Sequence, residues 1–96
     1  MGGLSARGLV DALERAGFPV RNPVDTTAQE CPAAGCLQSI VTDTVRVKSF
    51  GETRQAQLFA ADHHLFQVTT IVVSFAPPVS PAERDRFQAE IQKLML

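Results

Sequence analysis

Apolar residues return at helical spacing from Ala6 through Leu9, Val10 and Leu13 to Ala16, the stripe of an amphipathic helix. Ser5 stands where an N-cap belongs. Arg7 with Asp11, and Asp11 with Arg15, fall four residues apart on the other face, where such pairs support a helix. Gly17 suits the left-handed position after the last turn, Phe18 the apolar contact beyond it and Pro19 a stop. This pattern predicts a helix over roughly residues 5–16. From Val20 to Leu37 the periodicity fades. Pro23 and Asp25-Thr26-Thr27 are turn chemistry, and the segment reads as a long loop with a short strand at its start. A loop of that length in a compact domain usually serves a function or is anchored.

The next run, Gln38 to Phe50, reads QSIVTDTVRVKSF and is β-branched, which favours strand. Val41, Val45 and Val47 share one face with Asp43, while Thr42, Thr44, Arg46 and Lys48 share the other. Asp43 interrupts the apolar face, which marks a bend or bulge in the strand or a Thr42-Asp43-Thr44 turn splitting it in two; a turn residue is the favoured reading and a buried hydrogen-bonded carboxylate the other. Ser49 and Glu52 have the spacing of a capping box. Ahead of the narrow stripe Ala56, Phe59 and Ala60, they predict a helix over roughly 52–62. Leu65 to Phe75, LFQVTTIVVSF, reads as one central strand ended by Pro77-Pro78. Ser80, Pro81 and Glu83 then form a helix start. Phe87, Ile91, Leu94 and Met95 carry that helix over roughly 81–94.

The order helix, loop, strand, helix, strand, helix predicts an α+β fold. The expected architecture is a small two-layer α/β sandwich, a short sheet of two to four strands packed with three helices. Ninety-six residues form one domain, 1–96, in which Met1-Gly2-Gly3 reads as an initiator and a cloning remnant. Strand direction is left open. Net charge is −1, so no global field favours nucleic acid or an anionic membrane. Trp and Tyr are absent, which removes the usual interface anchors and base-stacking platforms. No apolar run approaches the length of a membrane span. A leader or anchor ahead of Leu4 is expected in the natural gene product.

Chemistry concentrates in QECPAAGCLQS, which holds both cysteines, Cys31 and Cys36. A metal site wants about four ligands. The remaining candidates, His63 and His64, are adjacent and diverge in a strand or at a helix end. A redox pair is the second reading: Cys31 as N-cap and Pro32 as first helical residue would lower the thiol pKa. The four-residue gap departs from the thioredoxin spacing. A staple is the favoured reading, since Pro32 and Gly35 supply a turn and a disulfide would tether the loop to the strand beyond. It implies an oxidising compartment. Asp62-His63-His64 reads as a helix C-terminus, where a cationic ring suits the dipole. No nucleophile elbow, phosphate loop or paired metal-ligand motif occurs. Arg46, Lys48 and Arg54 mark a small basic patch, the candidate interaction surface.

Taken together, CPAAGCLQSIVTDTVRVKSF and LFQVTTIVVSFAPPVSPAE resemble small uncharacterised exported domains of actinobacteria, of the mycobacterial type. The resemblance covers most of the chain and implies a signal or anchor outside it. It brings no activity, cofactor or catalytic residue. The expected function is therefore a non-enzymatic, extracytoplasmic module for a protein or envelope partner. It would be secreted or in the cell envelope, stapled by Cys31–Cys36, with no cofactor. A thiol–disulfide redox protein using Cys31 and Cys36, and a small-ligand-binding domain, are the alternatives.

Overall fold

The computed structural model describes residues 4–96; the reading of Met1-Gly2-Gly3 as a remnant lies outside the described residues. Four helices and five strands follow in the order α1 (Ala6–Arg15), β1 (Val24–Asp25), α2 (Thr27–Ala34), β2 (Gln38–Val41), β3 (Val45–Ser49), α3 (Thr53–His63), β4 (Phe66–Val68), β5 (Ile71–Phe75) and α4 (Pro81–Met95). The fold is α+β, as the patterning predicts. The sheet has five strands rather than two to four, and there is a fourth helix. All pairings are antiparallel, in the order β1-β2-β3-β5-β4.

Three local readings need correction. The first is the long loop, which contains β1 and the whole of α2. Pro32 lies inside that helix, where it removes the bond to the Ala28 carbonyl. That is why the segment reads as a loop. The second is the stretch 65–75, which is a hairpin rather than one strand. It turns at Thr69-Thr70, with Thr69 at φ 50°. No Gly or Asn marks the turn, so its β-branched sequence reads as continuous. The third is the capping box at the start of α3. Ser49 ends β3, and Glu52 is an N-cap without a side-chain bond.

Other signals appear as read. Ser5 accepts from the Gly8 N–H, and α1 closes in a Schellman motif. Phe18 N–H reaches the Leu13 carbonyl and Gly17 N–H the Glu14 carbonyl, with Gly17 at φ 91°. The Asp43 turn divides β2 from β3; its carboxylate accepts from the Arg21 N–H at 2.8 Å. Ser80 and Glu83 make the full capping box of α4.

Strand register fixes which residues share a face, and it puts Val41 opposite Arg46, on the other face from Val45 and Val47, because the turn at 42–44 resets the alternation. Ile40, Val47, Val73 and Phe66 pair in one row across β2, β3, β5 and β4. With Leu9, Leu13, Phe87 and Ile91 they belong to the main core beneath α1 and α4. Phe87 packs between Phe18 and Phe75, at 4.9 and 5.7 Å between centroids. The alternate residues Ser39, Lys48, Val72 and Gln67 form the row on the other face. There Val72 joins Phe50, Ala56 and Ala60 in a second, smaller core under α3. The helix α2 lies against β2. The second face is thus covered at both ends and open between α2 and α3.

Candidate functional site

The open part of that face is a cleft of about 720 Å³. Its floor is β3, with α2 as one wall and α3 as the other. Glu30, Ala33 and Ala34 line it from α2, Lys48 and Phe50 from the floor, and Leu58, Phe59, Asp62 and His63 from α3. Leu58 is 56% exposed at its rim. Phe50 and Phe59 pack at 5.4 Å between centroids, and the His63 ring stacks on Phe59 at 4.2 Å. One turn separates Phe59 from His63, so the i,i+4 spacing puts both rings on one helical face. His63 Nδ1 donates to the Phe59 carbonyl at 2.9 Å. A smaller pocket of about 180 Å³ adjoins the cleft, sharing Lys48, Phe59 and His63 with it and adding Arg46, Leu65, Val72 and Ser74.

The α2 wall is fixed at three levels. At its start, Thr26 Oγ1 donates to Ser39 Oγ at 2.9 Å, and Thr27 Oγ1 accepts the Ser39 N–H at 3.0 Å. Asp25 accepts from the Thr27 N–H, and the Thr27 bonds hold the Asp25 carboxyl below its ordinary pKa. In its middle, Glu30 reaches the sheet. Its Oε1 receives the Lys48 ammonium at 2.7 Å, and Arg46 Nη1 lies 2.8 Å from both carboxylate oxygens. The Lys48 bond, and then those from Thr26 and Arg46, outweigh partial burial and hold Glu30 down to about 2. At its end, Gly35 turns left-handed and Cys31 joins Cys36 in a disulfide with Cα atoms 4.6 Å apart.

The staple is therefore present, and it ties α2, in place of the expected loop, to the entry of β2. The redox reading had Cys31 as a helix N-cap. Instead Cys31 is in the second half of α2 and 6% exposed, away from the N-terminal amides that would lower its pKa. Arg46 and Lys48 come together on one sheet face, but as partners of Glu30 rather than as free charges. Arg54 is exposed in the first turn of α3 and lines neither cavity. Glu30 is the residue that sequence reasoning missed. Two cations at alternate positions of one strand point to a carboxylate only once a helix is known to cover that strand, and α2 reads as loop.

No helix among the described residues is long and apolar enough to cross a membrane. Comparison with protein-family models, curated proteins and solved structures finds no match.

Proposed function

We propose that the chain is an exported, non-enzymatic binding module that meets its partner, a protein or envelope component, through the cleft between α2 and α3. The observation that carries this reading is the α2 wall. A helix of eight residues interrupted by proline has little stability of its own. Here it is pinned by a disulfide, an ion-pair cluster and paired threonines beside an open, partly apolar cleft. Holding a wall in one position lowers the ordering cost of binding. The disulfide also favours an extracytoplasmic setting. A non-catalytic role fits the charges in the cleft. Glu30 is engaged by two cations and held near 2, which makes it a poor general base at neutral pH.

A photo-reactive amino acid placed at Leu58, on the cleft rim, tests this in the producing cell. Arg15, exposed on α1 beneath the opposite face of the sheet, is the control. The expected result is a discrete adduct from position 58 and none from 15. Equal labelling from both positions, or none from 58, overturns the reading.

A further inference from the structure

The smaller pocket beside the cleft has a chemistry of its own. Arg46 and Ser74 are direct cross-strand neighbours, as are Lys48 and Val72, so all four project to one face. They line this pocket together with His63 and Phe59, and no carboxylate lines it. Glu30 stands on the far side, among the residues of the larger cleft. Arg46 meets Glu30 through Nη1 alone, leaving Nε and Nη2 without a protein acceptor among the described residues. Lys48 spends one of its three N–H donors on Glu30. The Ser74 hydroxyl has no protein partner among the described residues. Two cations also share a single carboxylate, so the cluster keeps a net charge of +1. The apolar remainder of the pocket, Phe59, Leu65 and Val72, leads to the Phe50 and Leu58 side of the cleft through the shared Phe59.

We infer that the cleft binds an amphipathic carboxylate, its charged head between Arg46, Lys48 and Ser74 and its apolar body along Phe59, Phe50 and Leu58. This rests on the reading of the cleft as the binding face and gives that face a ligand class. The small pocket, at about 180 Å³, takes a carboxylate head group together with the start of its apolar chain, and it is bordered by the residues whose donors remain free, Arg46, Lys48 and Ser74. The larger cleft is of the size small-molecule sites have. A guanidinium, an ammonium and a hydroxyl lining one small pocket suit a carboxylate, because charge-assisted bonds are the strong ones. Glu30 competes for the charge of Arg46 and Lys48, which it bonds from the side of the larger cleft.

Titration of the full chain with decanoate, followed by amide chemical shifts, tests this, with decan-1-ol and acetate as controls. Decanoate should give saturable shifts at residues 46, 48, 59, 63 and 74, at least about tenfold tighter than decanol or acetate. Arg46→Gln should weaken decanoate about tenfold, the loss of one charge-assisted bond, and Ser74→Ala should weaken it less. Glu30→Gln, where its spectrum keeps native dispersion, should tighten decanoate and leave decanol unchanged, because it removes the competing anion. Equal affinity for decanol, equal affinity for acetate, or no saturation below about 1 mM overturns the proposal. Adducts from Leu58 without decanoate binding would remove the ligand class and leave the binding face. Decanoate binding without adducts would keep the ligand site and remove the protein or envelope partner.

Discussion

Replacing Glu30 by Gln removes the counter-charge of Lys48, which meets no other carboxylate among the described residues and whose side chain is 8% exposed. A nearly buried ammonium left without its counter-charge is unfavourable, by about 1–3 kcal/mol. Glu30→Gln should lower the urea midpoint at pH 7 accordingly. The pH dependence follows from the same contact. Glu30 has an ordinary value of 4.5 and a folded value of about 2. Its contribution is therefore complete above 4.5 and is lost as pH falls from there through 2. Unfolding midpoints taken between pH 5 and 2 should fall more steeply in the parent than in Glu30→Gln. Parallel curves would contradict this. Thr69 offers the opposite case. It is β-branched at φ 50° and its Oγ1 is buried without a hydrogen-bond partner among the described residues. A positive φ at only the first of two loop residues is the type II′ pattern, which takes glycine. Thr69→Gly should raise stability by about 1 kcal/mol; a lower midpoint would show that the turn is not strained.

At the scale of elements, α1 and α4 were legible because they carry their own instructions. Each has an N-cap, an apolar stripe at period 3.6 and, for α1, a glycine stop. Ser80→Ala should cost about 1 kcal/mol, since it removes one half of a reciprocal cap. The helix α2 was not legible, because what holds it is not local. Thr26 and Thr27 reach Ser39, Glu30 reaches Arg46 and Lys48, and Cys31 reaches Cys36. None of these partners follows from periodicity, and Pro32 argues against a helix. The same physics divides the β-runs. Thr42-Asp43-Thr44 announces its turn through a polar residue on an apolar face, whereas Val68-Thr69-Thr70-Ile71 hides one among β-branched residues. Changing Cys31 and Cys36 together to Ser should lower stability by about 2 kcal/mol on the loop-entropy account. Amide exchange should quicken across residues 27–35 before it does in β3 or β5. Uniform quickening over the whole chain would mean that the staple serves global stability instead of holding the α2 wall.

For the whole molecule, the sheet separates two tasks. One face carries the main core under α1 and α4 and centres on Phe87, which touches both Phe18 and Phe75. Phe87→Ala should cost about 3–5 kcal/mol without changing the cleft. The other face carries a small core under α3 and, between α3 and α2, the cleft with its cations. The sequence reading located half of this site. Strand alternation places Arg46 and Lys48 on one face, and composition singles out the two cysteines. The cleft itself arises only when α2 and α3 settle on opposite ends of one sheet face, a long-range fact that no local pattern carries. Arg54, chosen for charge alone, falls outside it. The α2 wall, its staple and the compartment that keeps the staple closed stand together, and the thiol state in the cell tests them most directly. Protein recovered from its natural compartment, alkylated before any reduction and weighed intact, should take up no label, and should take up label at both Cys31 and Cys36 after reductant. Two labelled thiols before reductant would contradict it.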